Sequence, residues 1–239
     1  MIYFLGDVHG CMAHVHRALA HQKDTVSVVF LGDIEAPSHF EYEIRGLIDA
    51  GMRVWFIHGN HDTDSPRSWH YLQGSAQRNL DGRVVEIEGV RVAGLGGIFR
   101  EEIWHPGRGL VRGESLAFRN YDAYLAALRL KTAPELRRLA KYTGKALKHR
   151  SSIFPDVYDR LGRERADILV THEAPSCHPY GFEAIDVLAQ VMGVKTAFHG
   201  HHHESVTYAD AQERLGFKAY GVGLRAITDM TGCQVLAGQ

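Results

Sequence analysis

The chain has 239 residues, of which 45% are hydrophobic and 23% charged, and its formal net charge is −1. This is the composition of a water-soluble fold with a sizeable core. It offers no broad electrostatic track for nucleic acid or an anionic membrane, and no apolar run nears the ~20 residues of a spanning helix. Three widely spaced cysteines, Cys11, Cys177 and Cys233, argue against a disulfide framework. With no basic-then-apolar leader ahead of Ile2, the expectation is a cytoplasmic protein without membrane association.

The first third alternates strands and helices. A strand at Ile2 to Leu5 leads into a helix from Cys11 to about His21. A strand at Val26 to Leu31 leads into a helix from Phe40 to about Ala50, with Gly51 suited to close it, and a strand at Val54 to Ile57 follows. Such alternation predicts βαβ units with a parallel core. A polar stretch from Thr63 to Arg78 precedes two strands, Val84 to Ile87 and Val90 to Ala93, which flank Glu88-Gly89 as a β-hairpin. Gly94, Gly96 and Gly97 then mark a tight loop.

Residues 98 to 165 lose the alternation and read as helices at Arg119 to Leu130 and Thr132 to Lys148. From Gly97 to Arg150 there are twelve Lys or Arg against five Asp or Glu, so this segment is basic and the remainder acidic. It reads as a helical insertion or cap. Its cations either pair with acids elsewhere on a solvated face or face an acidic substrate. The last third returns to strands at Ile168 to Val170, Thr196 to Phe198, Val206 to Tyr208, Phe217 to Val222 and about Ala226 to Met230, with a helix at Ala184 to Met192. The close spacing of the late strands predicts a second, largely antiparallel sheet.

Five polar clusters punctuate these elements, each after an apolar run. They are Gly6-Asp7-Val8-His9-Gly10, Gly32-Asp33, Gly59-Asn60-His61-Asp62, Thr171-His172-Glu173-Ala174-Pro175 and Gly200-His201-His202-His203. Ligand residues at strand C-termini converge on one edge of a sheet, where α/β folds build their sites. Asp7 and His9, one residue apart, would share a face, and His201 and His203 repeat that spacing. Carboxylate, amide and imidazole groups in this number suit hard or borderline divalent metals.

In this order the clusters resemble the calcineurin-like metallophosphoesterase superfamily, whose pattern D-x-H, G-D, G-N-H-D/E, H and G-H-x-H is met between residues 7 and 203. The resemblance implies an α/β fold, a four-layer αββα sandwich of two mixed sheets. It would form one domain over residues 1–239, with the basic helical segment at about 98–165 as an insertion. It also implies two divalent ions, Mn²⁺ first, with Fe, Zn²⁺, Co²⁺ or Ni²⁺ as alternatives. Asp7, His9, Asp33 and His203 would hold one ion, and Asp33, Asn60, His172 and His201 the other. His202 would point away, His58 and His199 would be buried structural residues, and His61 would act as proton donor or transition-state stabiliser. Two ions sharing Asp33 would clamp the phosphoryl oxygens and acidify a bridging water as nucleophile.

One departure from the family's phosphoprotein-phosphatase branch is visible. That branch extends the second cluster to G-D-x-V-D-R-G, whereas here it reads Gly32-Asp33-Ile34-Glu35-Ala36-Pro37. The Asp that orients the catalytic His and the Arg that grips phosphate are absent from those places. Glu35, Asp62 or Asp64 would have to orient His61, and Arg67, Arg100 or another cation of the basic segment would have to grip phosphate. The expected activity is hydrolysis of phosphate mono- or diesters of small phosphorylated molecules or nucleotides. The alternatives are a nuclease on single-stranded nucleic acid, with Trp104, His105 and Arg108 stacking a base, a non-catalytic scaffold, or a phosphoprotein phosphatase. The sequence leaves the oligomeric state open.

Overall fold

Strands covered on both faces must be apolar on both faces, and β1 (Ile2–Leu5) and β2 (Ser27–Phe30) are buried at every residue. The computed structural model describes residues 1–20, 26–107, 118–131 and 143–239. Beside β1 and β2 run β3 (Arg53–Phe56), β10 (Ile227–Asp229) and β11 (Gln234–Leu236), in the order β11-β10-β1-β2-β3. β1, β2 and β3 are parallel, and β10 runs antiparallel to β1. A second sheet has the order β4-β5-β6-β7-β9-β8. Its strands are β4 (Arg83–Ile87), β5 (Val90–Leu95), β6 (Ile168–Thr171), β7 (Thr196–His199), β8 (Val206–Thr207) and β9 (Lys218–Gly221).

The period-two alternation sorts side chains into layers. Ile2, Phe4, Val29, Leu31, Ile168, Val170 and Phe198 fill the space between the sheets, and Phe4 stacks on Phe198 with ring centroids 3.9 Å apart. Burying a side chain such as Phe198 stabilises by about 1.5–3 kcal/mol. Tyr3, Leu5, Val28 and Phe30 face outward, in one core with Val15 and Leu19 of the helix Ala13–Leu19. On the far side, Ala93, Leu95, Leu169 and Ala197 share a core with Ile185, Leu188 and Met192 of the helix Glu183–Met192. Helices thus cover both outer faces of two mixed sheets, in the four layers expected.

The second sheet corrects the expectation of a largely antiparallel one. β5, β6, β7 and β9 are parallel, and only the edge strands β4 and β8 run the other way. The helix Glu183–Met192 is the crossover from β6 to β7, and a crossover returns the chain in the same direction. β10 and β11 join the first sheet, a long-range pairing that spacing along the chain does not reveal.

Local chemistry accounts for smaller differences. The helix expected over Phe40 to Ala50 forms as two, Phe40–Glu43 and Arg45–Asp49, ahead of Gly51 at φ +86°. The polar stretch after Thr63 contains the helix Pro66–Gln73, capped by the Ser65 hydroxyl, which accepts from the Ser68 N–H at 3.0 Å. Glu88 and Gly89 turn the β4–β5 hairpin with φ of 50° and 76°, as a two-residue hairpin requires. Gly94 lies inside β5, where a Cβ would meet Leu80 at 2.6 Å.

The basic segment leaves and rejoins the sandwich at one place. Ile98 N–H donates to Ser151 O, and Ile153 N–H to Ile98 O, both at 3.0 Å. Its described parts include helices Tyr121–Lys131, Gly144–Lys148 and Pro155–Leu161, gathered around Ile103, Tyr124 and Phe154. Residues 132–142 of the helix expected from Thr132, and Arg108, lie outside the described residues.

Candidate metal centre

The five clusters meet at the C-terminal edges of both sheets. Asp7 and His9 follow β1, Asp33 follows β2, Asn60 and His61 follow β3, His172 follows β6, and His201 and His203 follow β7. The backbone is strained where they meet. Of the seven described non-glycine residues with left-handed φ, five are His9, Asp33, Glu35, His201 and His203. Such residues cost about 1–3 kcal/mol each and gather at functional sites. Glycines let the loops close up. A Cβ on Gly59 would lie 2.2 Å from Asp33 Oδ1, and one on Gly32 would lie 2.4 Å from His172 Nδ1.

The residues form two adjoining groups. Asp7, His9 and His203 bring one ligand atom each within 4.8 Å of one another, and Asp33, His172 and His201 do the same. His9 Nε2 lies 3.1 Å from His203 Nε2, which lies 3.2 Å from Asp7 Oδ2. His172 Nδ1 donates to Leu31 O at 2.8 Å, so Nε2 faces Asp33 Oδ2 at 3.3 Å and Asn60 Oδ1 at 3.1 Å. Asp33 Oδ1 also accepts the His61 N–H at 2.8 Å. Asp7 Oδ2 accepts the His201 N–H at 2.9 Å.

These contacts suit divalent cations. Asp7 Oδ1 is fully buried with no hydrogen-bond partner, and an orphaned buried carboxylate oxygen is costly. Facing imidazole nitrogens, and an imidazole nitrogen aimed at two oxygens, need a positive charge between them. Burial disfavours an imidazolium at His172, yet the Asp33 and Asp7 carboxylates outweigh it and raise its pKa to about 10. Burial likewise opposes ionisation of Asp33, but His172 and the His61 N–H hold it far below the usual carboxylate range. Burial lowers His201 to about 3, which keeps it neutral and available as a ligand.

A ring of polar side chains holds these residues. His9 Nδ1 donates to Glu35 Oε2 at 2.7 Å, and His61 Nδ1 to Asp64 Oδ2 at 2.6 Å. Of the three acids considered as partners for His61, Asp64 makes the contact. Asp62 is fully buried and instead ties two loops, accepting Gly59 N–H at 2.8 Å and Glu35 N–H at 2.7 Å. Burial and the nearby Asp33 charge push Asp62 up to about 7. The pairing of Glu35 with His9 had no signal in the sequence beyond the acid itself.

His58 is buried edge-on to Trp69, and His199 is buried against Tyr208, with Nε2 3.1 Å from the hydroxyl. His202 turns to stack on His178, centroids 3.7 Å apart. Arg100 Nη1 donates to Ser151 O at 2.7 Å and Ser152 Oγ at 3.1 Å, which binds the two ends of the basic segment. Lys145 pairs with Glu102, Arg119 pairs with Asp159, and Arg150 lies over Tyr121. These cations follow the reading in which the segment's charges find partners. Arg67 donates to the Tyr71 hydroxyl at 2.8 Å. Trp104 packs against Phe99 and Tyr158, each at 5.1 Å, as a structural aromatic. Burial raises the Cys177 thiol to about 11, and all three cysteines are free. Among the described residues no helix is long and apolar enough to cross a membrane.

Comparison with known proteins agrees with this geometry. A family model described as calcineurin-like phosphoesterase matches residues 1–205. An uncharacterized protein of Haemophilus influenzae is 37% identical over 238 residues, covering 99% of this chain and 96% of that one. The crystal structure of TT1561 of Thermus thermophilus superposes with a TM-score of 0.51 at 18% identity, over 96% of this chain and 94% of that one. This last likeness is one of fold.

Proposed function

The chain belongs to the calcineurin-like phosphoesterase family, and from that premise we propose that it is a metal-dependent hydrolase of phosphate mono- or diesters of small phosphorylated molecules or nucleotides. The observation that carries this reading is the pair of adjoining ligand groups around Asp7 and Asp33, with an orphaned buried oxygen on Asp7. Asp7, His9, Asp33 and His203 would hold one divalent ion, and Asp33, Asn60, His172 and His201 a second, Mn²⁺ being the first candidate. When bound, the ions supply Lewis acidity toward the phosphoryl oxygens and a water of lowered pKa as nucleophile.

The remaining chemistry belongs to the chain. Glu35 and the carbonyl of Leu31 fix the rings of His9 and His172 by binding their Nδ1 atoms, which leaves each Nε2 turned to the site. Asp64 holds His61 Nδ1 in the same way. His61 Nε2 is then the atom that gives a proton to the leaving oxygen. The His61 side chain is 46% exposed, so a substrate reaches it from solvent.

The test is a panel with Mn²⁺ and purified protein: p-nitrophenyl phosphate, bis-p-nitrophenyl phosphate, glycerol phosphate, 5′-AMP, cyclic nucleotides, a phosphopeptide and single-stranded DNA. Turnover of small esters, abolished by chelation and accompanied by about two metal equivalents per chain, is expected. No turnover of any ester with Mn²⁺, Fe²⁺, Zn²⁺, Co²⁺ or Ni²⁺ overturns the reading.

A further inference from the structure

A groove of about 770 Å³ opens between the loop after β6 and the first residues of the basic segment. That volume lies within the range of small-molecule sites. Its lining includes four flat rings, His105, His178, Tyr180 and Phe182, and the cation Arg214. Tyr180 is 76% exposed, the most exposed large hydrophobic side chain among the described residues. An exposed aromatic ring at the rim of a cavity is accessible to a ligand that enters it.

The loop that presents these rings is fixed before any ligand arrives. His178 N–H donates to Pro175 O at 3.0 Å, Gly181 N–H to His178 O at 2.9 Å, and Phe182 N–H to Ala174 O at 3.0 Å. A Cβ on Gly181 would lie 1.8 Å from Pro175 O, so only glycine allows this turn. Asp186 anchors the loop from the helix Glu183–Met192 by accepting from the Ser176 N–H at 2.9 Å. Arg214 Nη1 donates to Ser176 Oγ at 2.9 Å and pairs with Asp186 Oδ2 at 3.7 Å, and a guanidinium carries further N–H donors on Nε and Nη2. A surface already in its bound shape loses little entropy on binding.

The groove connects to the centre through one ring. His178 stacks on His202 at 3.7 Å. A ring nitrogen of His202 lies within 4.8 Å of one on His201, which in turn brings a nitrogen within 4.8 Å of ligand atoms on Asp33 and His172. His202 thus stands between the groove wall and the ligand His201.

We propose that this groove is the nucleoside subsite of the enzyme: a nucleotide's phosphate sits at the Asp7–Asp33 centre, its base stacks on Tyr180, and Arg214 donates to its polar edge or ribose. This rests on the phosphoesterase reading above and narrows its substrates to nucleoside phosphate esters. A π-face common to every base makes such a subsite tolerant of base identity. His178 is already stacked on His202, and Phe182 is packed against Phe99 and His105, so the exposed Tyr180 supplies the stacking face.

Two arms test it. In the first, adenosine and uridine are titrated into metal-free protein and followed by tyrosine fluorescence and by chemical-shift changes. Saturable binding is expected, with shifts centred on residues 176–182, about tenfold weaker in Tyr180→Ala and retained in Tyr180→Phe. In the second, the ratio of kcat/KM for 5′-AMP to that for glycerol phosphate is compared between the wild type and Tyr180→Ala, and a fall of about tenfold is expected. Absence of nucleoside binding, or shifts centred elsewhere, overturns the subsite, as does an unchanged ratio. Turnover of glycerol phosphate with an unchanged ratio leaves the phosphoesterase reading standing. Nucleoside binding at 176–182 without turnover of any ester sinks that reading and leaves the binding site in place.

Discussion

His9 and His203, 194 residues apart in the chain, face each other nitrogen to nitrogen at 3.1 Å. His9 Nδ1 is engaged by Glu35 Oε2, which turns Nε2 toward His203. Two ring nitrogens this close need a proton or a cation between them. Asp7 Oδ2, 3.2 Å from His203 Nε2, adds negative charge to the same point.

Glu35 should therefore govern metal affinity through His9 without touching the ion. A carboxylate that accepts from a ligand imidazole sets its orientation and raises its basicity, and losing one costs about 10–100-fold in affinity or activity. Glu35→Ala is expected to weaken binding of one ion by that factor in a chelator competition, with the second ion unaffected. Equal weakening of both would assign Glu35 to loop structure, since its N–H also bonds to Asp62.

Asp33→Asn should reduce turnover to below about a hundredth, on the order of the loss expected when a shared ligand leaves a two-ion clamp. Asp33 receives the His61 N–H and lies 3.3 Å from His172. An amide oxygen still accepts the N–H, so circular dichroism should show the fold intact. More than a tenth of wild-type turnover at saturating Mn²⁺ would contradict the sharing of Asp33.

His61→Ala should cut kcat by about 10²–10⁴-fold and leave metal content unchanged. The loss should be smaller for p-nitrophenyl phosphate, whose leaving group needs little protonation, than for an alkyl phosphate. Asp64→Asn should show a weaker version of the same dependence, because it holds His61 Nδ1 at 2.6 Å. Equal losses for both leaving groups would make His61 a stabiliser of phosphoryl charge. A fall in metal content would make it a ligand.

Gly59→Ala should empty the site by sterics alone. The new Cβ would meet Asp33 Oδ1 at 2.2 Å and His172 Cε1 at 2.6 Å, so both side chains must move. Metal content measured after reconstitution should fall below one equivalent. Gly89→Ala is the control: it also lies in a turn, at φ +76°, but a Cβ there meets nothing within 4 Å. It should cost about 1 kcal/mol of stability and leave the metals in place. Full metal content in Gly59→Ala would show that the Asp33 loop relaxes freely.

Most strand positions are legible as short apolar runs between turn residues: Ile2 to Leu5 and Ile168 to Val170 lie where their composition indicates, whereas β11 (Gln234–Leu236) has no such run. The helix Pro66–Gln73 is hard to read although Ser65-Pro66 is a helix-start signal, because its residues are mostly polar and resemble a surface loop. The helical part of the basic segment was legible at Tyr121–Lys131, but the destination of its cations was not. Arg100 turns to Ser151 and Ser152, a choice made by a chain fold more than fifty residues long.

By itself the sequence determined the family, the two-sheet α/β class and the set of polar residues at strand ends. Ligand type and strand-end position are local properties, written within a few residues of each other. The tertiary structure alone decided the parallel order of β5, β6, β7 and β9, the return of β10 to pair with β1, and the partners of the site. It sent Glu35 to His9, Asp64 to His61 and Asp62 to the loop backbone, and it set Tyr180 at the rim of a groove. These are contacts between segments far apart in the chain. They follow from how two sheets stack and how tightly glycine loops close, which no local pattern encodes.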